Sequence, residues 1–261
     1  MRNYLLFDKV LDEDELGSLQ EAALGSHHVG NSPLKGTFDG SRGFGLSFRR
    51  DALGDVALQF PYLKTFLTRC LSRNESKGLW TFSEKMERWF CGWGVNAFYL
   101  NLLWIPPHKS ITAHVDATLN SLLPMQDHLP MMVSVLYVNY PKGATGGELC
   151  ILKQEQDIAT IKPMPGRLVH FRGDLTHCVR AFEPPNDLPQ PRISLVLEHY
   201  CLPEDILELM PALKTNTPGL FSKALKEARN RPIPKMDIDL PDGRVVSSHE
   251  LLSDKISKEP K

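Results

Sequence analysis

The stretch Met131-Met-Val-Ser-Val-Leu-Tyr-Val-Asn139 is the clearest strand in the sequence, because it is rich in β-branched and apolar residues and ends at a polar turn. Similar short stretches lie on both sides of it, between Asn96 and Tyr200, separated by segments that contain Gly or Pro. About eight such stretches at a spacing of roughly 8–12 residues are typical of an all-β sandwich or barrel. We therefore expect a mainly β fold with flanking helices and a jelly-roll core (the cupin-like double-stranded β-helix).

The two flanks of this β region have helical patterns. We expect a single domain with three parts: a mainly helical N-terminal layer (1–93), the jelly-roll core (94–200), and a helical C-terminal extension and tail (201–261). The segment from Gly30 to Phe48 is rich in Gly and Ser and predicts a loop with at most a short strand. The predicted helices are Asp12–Leu24, Phe60–Leu71, Ser83–Phe90, Glu204–Met210 and Leu220–Arg229.

Composition excludes several classes of protein. The net charge of -1 and the pI near 6.8 disfavour a nucleic-acid-binding protein, and no apolar run is long enough to span a bilayer. The five cysteines form no C-x-x-C pair, and their odd number in a chain of this length favours reduced thiols over a disulfide framework. We expect a cytoplasmic protein that does not associate with membranes.

The pair His114 and Asp116 is the first candidate for a metal site. Side chains two residues apart lie on the same face of a strand, so both can contact one ion. His177, from a later strand, would complete a 2-His-1-carboxylate triad, which leaves open coordination positions on a non-haem Fe(II) ion. The H-x-D spacing alone is common by chance, so the other motifs of the sequence must support it.

Arg192, at the start of the last strand, is the candidate for binding an anion. Its planar guanidinium can bond a carboxylate through two hydrogen bonds, and Ser194 lies on the same face of the strand. If segment 176–182 pairs with segment 192–200 as a hairpin, Arg192 lies deeper in the cavity than His177. Arg172 and Arg180 are alternatives for this role, but their positions favour solvent-exposed side chains.

Together these motifs resemble the Fe(II)/2-oxoglutarate-dependent dioxygenases of the prolyl-hydroxylase-like and phytanoyl-hydroxylase-like superfamily. The resemblance covers roughly residues 95–200. Its motifs occur here in the family order: His114-Val-Asp116, Tyr137-Val-Asn139, Gly146-Gly-Glu-Leu149, Pro165-Gly-Arg-Leu-Val-His-Phe171, His177 and Arg192-Ile-Ser194.

The resemblance implies a role for each matched residue. His114, Asp116 and His177 would bind Fe(II), and Arg192 and Ser194 would hold the distal carboxylate of the cosubstrate 2-oxoglutarate, with O₂ as the oxidant. Many relatives have a cosubstrate-binding Tyr where this chain has Trp104, whose indole N–H would donate instead. Family halogenases lack the carboxylate ligand, so the presence of Asp116 favours hydroxylation.

The expected activity is hydroxylation of an unactivated C–H bond in a small metabolite, such as an amino acid or a natural-product intermediate, with release of succinate and CO₂. The connection Ala117–Pro130 is long enough to act as a lid over the metal. Three alternatives stay open: hydroxylation of a peptide or protein residue, desaturation or demethylation by the same oxidative chemistry, and a metal-binding jelly-roll module that senses rather than catalyses.

Overall fold

Strand β12 (Arg192–Tyr200) is the centre of the larger sheet, and it pairs along its whole length with β3 (Ala97–Ile105). On its other side it pairs with β5 (Met132–Asn139). All pairings are antiparallel, and the sheet order is β1-β9-β5-β12-β3-β2-β13. The remaining strands of this sheet are β1 (Tyr4–Phe7), β2 (Arg42–Arg49), β9 (Leu168–Arg172) and β13 (Leu213–Asn216).

The computed structural model describes residues 3–29, 34, 38–71, 94–123, 128–153, 156–185 and 190–216, and the backbone of two short strands near the C-terminus. The chain divides into two compact units, Met1–Pro218 and Gly219–Lys261. In the second unit, β14 (Asp237–Asp239) pairs with β15 (Val245–Ser247). The predicted helices Ser83–Phe90 and Leu220–Arg229 lie outside the described residues, and the single-domain division of the chain stays a prediction.

A smaller sheet faces the larger one and has the order β4-β10-β7-β8. Side chains from the inner faces of both sheets line one cavity, with Val135 and Ser194 from the larger sheet and Ile111 and Val179 from the smaller one. This arrangement confirms the mainly β fold with a jelly-roll core. The strands of the smaller sheet are β4 (Ile111–His114), β7 (Leu149–Lys153), β8 (Gln156–Ile161) and β10 (Thr176–Val179); a separate two-stranded pair consists of β6 (Thr145–Gly146) and β11 (Phe182–Glu183).

Three helices of the N-terminal part of the chain cover the outer face of the larger sheet. Helix α1 (Glu13–Leu24) begins with a capping box in which Asp12 and Glu15 bond each other's backbone N–H groups, as its acidic first turn predicts. The buried side chains of the helices join those of the sheet in one apolar core, which includes Leu19, Phe66 and Leu195. The other helices are α2 (Leu53–Gln59), α3 (Lys64–Leu71) and α4 (Glu204–Leu209), and 3₁₀ turns span Arg50–Ala52, Pro61–Leu63 and Thr118–Ser121. Among the described residues, no helix has the length and apolar character that crossing a membrane requires.

Two features of the topology differ from the sequence predictions. The segment from Gly30 to Phe48, predicted as a loop with at most a short strand, ends in the eight-residue β2, which joins the larger sheet. The predicted hairpin between segments 176–182 and 192–200 is wrong: β10 pairs with β4 and β7, whereas β12 pairs with β3 and β5. Neighbours in sequence therefore belong to opposite sheets, and the cavity lies between them.

Candidate active site

Strand pairing brings His114 and His177 together in the smaller sheet. They are directly opposite each other in β4 and β10, and the centroids of their imidazole rings are 4.4 Å apart. Asp116 lies two residues beyond the end of β4, so it is not on the strand that its spacing predicts. Its carboxylate nevertheless meets both rings, with Oδ1 at 3.4 Å from His114 Nε2 and Oδ2 at 3.3 Å from His177 Nε2.

The hydrogen bond of Nδ1 in each histidine determines that Nε2 is the ring nitrogen that faces the Asp116 carboxylate. His114 Nδ1 lies 2.7 Å from the carbonyl oxygen of Thr112, and His177 Nδ1 lies 3.3 Å from that of Leu175. A carbonyl oxygen only accepts, so each Nδ1 carries the proton and each neutral ring has its lone pair on Nε2. In the neutral rings the two Nε2 atoms point at Asp116 with lone pairs that can bind a metal ion, and a protonated ring donates from the same atom to the carboxylate.

The three side chains have the donor set that a transition metal requires. One ligand atom from each lies within 4.8 Å of the others, and Asp116 Oδ2 is buried without a hydrogen-bond partner among the described residues. Two imidazole nitrogens and one carboxylate suit Fe(II), and three protein ligands leave coordination positions for other molecules. The predicted triad His114, Asp116 and His177 is therefore assembled in one place.

Electrostatic interactions keep Asp116 in the form that binds metal. Burial alone would raise the pKa of this carboxyl group, but the charges of His177 and His114 and the close contacts of their Nε2 atoms with the carboxylate outweigh burial and hold the pKa well below its usual range. Burial likewise opposes ionisation of His114, yet the hydrogen bond and charge of Asp116 raise the pKa of its imidazole. A proton on His114 consequently competes with a metal ion for Nε2.

A second set of polar groups lies at the same cavity, which Arg192 and Ser194 line and Tyr137 adjoins. Arg192 is 1% exposed, and its Nη1 donates to the carbonyl oxygen of Gly147 at 2.7 Å, while its Nε has no partner among the described residues. The hydroxyl oxygens of Ser194 and Tyr137 are also buried and also lack partners there. Gly147 has φ +72°, a left-handed conformation that suits glycine in the turn predicted at Gly146-Gly147.

These groups fit an anion. Strand β5 places Tyr137 directly opposite Ser194, and the Arg192 guanidinium lies 5.0 Å from the centroid of the Tyr137 ring. In the described part of the chain, no acidic side chain forms an ion pair with Arg192, so a bound carboxylate would neutralise a buried charge and accept from the three free donors. The predicted residues Arg192 and Ser194 thus lie together. Sequence reasoning missed Tyr137, although it belongs to the Tyr137-Val-Asn139 motif.

Trp104 is not part of this site. Leu103 and Ile105 line the cavity, so Trp104, between them on β3, faces the other side of the sheet. There its indole packs against the outer apolar core, and the guanidinium of Arg42 lies 5.0 Å from the ring centroid. This placement contradicts the prediction that the indole N–H contacts the cosubstrate.

The alternatives for the anion-binding arginine lie on the surface. Arg180 pairs with Asp157 at 2.9 Å, and Arg172 pairs with Asp174 at 2.8 Å. Neither arginine lines the cavity.

Glu198 is a further residue that sequence reasoning missed. Its fully buried carboxyl group accepts hydrogen bonds from Thr118 N at 3.0 Å, from Thr118 Oγ1 at 2.5 Å and from the Tyr200 hydroxyl. Burial and the negative charge of Asp116 raise the pKa of Glu198 to about 8. Its position six residues after Arg192 puts it on the same face of β12, which is the signal that could have identified it.

No family model and no curated protein matches the chain. Two solved structures match it over 77% of its length and 94% of theirs. One is a prolyl-4-hydroxylase from Pseudomonas putida, with a TM-score of 0.51 and 18% identity. The other is IDO from Bacillus thuringiensis, with a TM-score of 0.52 and 12% identity. The chain therefore has the fold of the P. putida prolyl-4-hydroxylase and the B. thuringiensis IDO.

Proposed function

We propose that this protein is an Fe(II)- and 2-oxoglutarate-dependent dioxygenase of the superfamily that its motifs resemble. The observation that carries the proposal is one cavity with two kinds of site: three metal-ligand side chains, and a buried arginine with unpaired donors around it. A module that only binds a metal ion needs only the three metal-ligand side chains. A dicarboxylate cosubstrate that chelates the metal at one end requires both.

Each residue then has a definite task. His114, Asp116 and His177 hold Fe(II), and Arg192, Ser194 and Tyr137 bind the distal carboxylate of 2-oxoglutarate. The apolar walls of the cavity, such as Leu103 and Val135, exclude water and strengthen the contacts to the carboxylate. With 2-oxoglutarate and O₂, Fe(II) supplies the oxidation of an unactivated C–H bond and the release of succinate and CO₂.

The finer part of the proposal is the substrate, a small metabolite such as an amino acid or a natural-product intermediate. The near-neutral charge and the length of the Ala117–Pro130 connection favour a small molecule under a lid. The structural similarity to the P. putida prolyl-4-hydroxylase makes hydroxylation of a peptide residue the main alternative. A cytoplasmic location remains part of the proposal.

Succinate formation tests the proposal in two steps. The purified chain with Fe(II), 2-oxoglutarate and O₂ should release succinate slowly without a substrate, and Asp116→Ala should abolish this release; a non-catalytic sensing module would release none. Panels of metabolites and of peptides should then be compared. Stimulation by a metabolite supports the proposed substrate class, and stimulation by peptides alone would overturn it. The mass of the product separates hydroxylation from desaturation and demethylation.

A further inference from the structure

Glu198 is a buried carboxyl group that the proposed function does not use. It continues the inner face of β12 beyond Arg192, Ser194 and Val196, which line the cavity. Its strand partners are Tyr99 on β3 and Val133 on β5, both of them buried. The carboxyl group therefore lies within the sheet sandwich, where it does not reach solvent.

The contacts of Glu198 all lead to one short segment. Both of its oxygens accept from Thr118, one from the backbone N–H and the other from the hydroxyl. Tyr200 donates its hydroxyl to the same carboxyl group, and its oxygen lies 3.5 Å from the backbone nitrogen of Leu119. Glu198 and Tyr200 thus hold the first two N–H groups of the 3₁₀ turn Thr118–Ser121, which have no partner within a turn of this kind.

This segment determines where Asp116 points. Residues 115–117 have no regular secondary structure, so the backbone of Asp116 is held from two sides: by His114, the last residue of β4, and by Thr118. The pairing of β4 with β10 fixes the first side. The hydrogen bonds to Glu198 fix the second.

Stability gives no reason for an acid at this position. A buried carboxyl group costs free energy on folding even when it is hydrogen-bonded, and a packed apolar side chain would often serve stability equally well. In contrast, a group that supports a metal ligand typically contributes about 10- to 100-fold to metal affinity. The geometry favours the second explanation, because Thr118 is only two residues from Asp116.

We propose that Glu198 is a positioning residue for the metal centre, which holds Asp116 in line with His114 and His177 through its hydrogen bonds to Thr118. The inference rests on the proposed metal site. It assigns Tyr200 a supporting part, because the Tyr200 hydroxyl orients the Glu198 carboxyl group and caps Leu119. Glu198 itself touches neither the metal ligands nor the cosubstrate donors by any hydrogen bond in the described residues.

Cobalt binding to the full chain tests the inference without relying on turnover. Co(II) affinity and the visible absorption of the bound ion, which reports coordination geometry, are measured for the wild type, Glu198→Ala, Glu198→Gln and Thr118→Val. Glu198→Ala should weaken binding by about 10- to 100-fold and alter the absorption spectrum. Glu198→Gln should restore most of the affinity, because the amide oxygen still accepts from Thr118 N–H while its NH₂ donates to a hydroxyl. Thr118→Val keeps the N–H contact and should cause a smaller loss.

Ser134→Ala is the matched control. Ser134 is also fully buried and makes two hydrogen bonds to side chains, but it lies on the opposite face of the same sheet. This variant should lose stability and keep wild-type Co(II) affinity.

Wild-type affinity and spectrum in both Glu198→Ala and Thr118→Val would overturn the inference, and so would an equal loss of affinity in Ser134→Ala. If Glu198→Ala does not fold, Thr118→Val and Tyr200→Phe decide. A wild-type chain that binds no Co(II) would overturn the proposed function as well, whereas wild-type binding with unaffected variants removes the inference alone.

Discussion

The two faces of β12 carry different kinds of residue. The inner face has Arg192, Ser194 and Glu198, whose polar groups lie in or next to the cavity. The outer face has Ile193, Leu195 and Leu197, which pack under the helices. All six are buried. Burial alone therefore does not separate residues that serve the site from residues that stabilise the fold, but the partners of their polar atoms do.

The outer face also has buried polar groups, and these are hydrogen-bonded to one another. His199 follows Leu197 on that face, and Ser134 bridges it to His170, at 2.8 Å and 2.7 Å respectively. Burial lowers the pKa of His199 to about 3, so this imidazole is neutral at ordinary pH. The hydroxyl of Ser134 has two hydrogen-bond partners, whereas the hydroxyls of Ser194 and Tyr137 have none among the described residues.

The largest expected effect is that of removing the inner-face arginine. Arg192→Leu should raise the KM for 2-oxoglutarate by at least about 30-fold, since truncating one partner of a buried charge pair costs 2–5 kcal/mol. Steady-state succinate formation measures this change. Arg180→Leu, which removes a surface arginine instead, should leave KM at the wild-type value. An unchanged KM in Arg192→Leu would show that another group binds the cosubstrate.

Truncating an apolar residue on the outer face should lower stability and leave the KM for 2-oxoglutarate unchanged. Leu195→Ala should lower the free energy of unfolding by about 2–5 kcal/mol, because it leaves a cavity in the core beneath the helices. Denaturant unfolding monitored by circular dichroism measures the loss. At temperatures where the variant stays folded, its KM for 2-oxoglutarate should equal that of the wild type; an altered KM would mean that the two faces are coupled.

Two serines give the sharpest form of the comparison. Ser134→Ala should lower the free energy of unfolding by about 1–3 kcal/mol, because His170 and His199 lose a shared partner, and should leave KM unchanged. Ser194→Ala should leave stability nearly unchanged and raise the KM for 2-oxoglutarate by a few fold, the equivalent of about 1 kcal/mol. Denaturant unfolding and steady-state succinate formation, measured for both variants, check these opposite effects. Equal stability losses in both would contradict the distinction between the faces.

The smallest effect is expected outside both faces, at the ion pair between Asp8 and Arg167. The hydrogen bond from Arg167 lowers the pKa of Asp8 below its ordinary value of 3.8. A lowered pKa stabilises the folded state above pH 3.8, and this contribution is lost as the pH falls through the lower, folded-state value. Because the pair is partly exposed, Asp8→Asn should cost less than about 1 kcal/mol at neutral pH. The difference between variant and wild type in urea unfolding should shrink below about pH 4; a difference that persists there would exclude a role for the charge of Asp8.

Local pattern predicts the strands of this protein well, because their alternation and turn residues are encoded within a few positions. The predicted stretch 192–200 coincides with β12, and 131–139 differs from β5 by one residue. Strand pairing depends on contacts between distant segments. For this reason the predicted pairing of β10 with β12 is wrong, and the local sequence of β2 does not predict a full strand. Periodicity does not report such contacts.

The site residues that belong to a motif could be predicted from the sequence. The prediction failed where the role of a residue depends on which face of a strand it lies on. Strand β3 has large apolar residues on both faces, so alternation could not tell that Leu103 rather than Trp104 points into the cavity. Tyr137 and Glu198 were missed for a related reason. Their roles depend on atoms brought next to them by distant segments, Arg192 for the first and Thr118 for the second.

We expect one cosubstrate to bridge the metal ligands and the arginine of a single cavity. Anaerobic titration of the Fe(II)-loaded chain with 2-oxoglutarate tests it directly, because a 2-oxo acid chelated to Fe(II) produces a visible charge-transfer absorption. The wild type should show this absorption, His177→Ala should lack it, and Arg192→Leu should show it only at much higher 2-oxoglutarate concentrations. A wild-type chain without the absorption, or an identical titration curve in Arg192→Leu, would contradict this expectation.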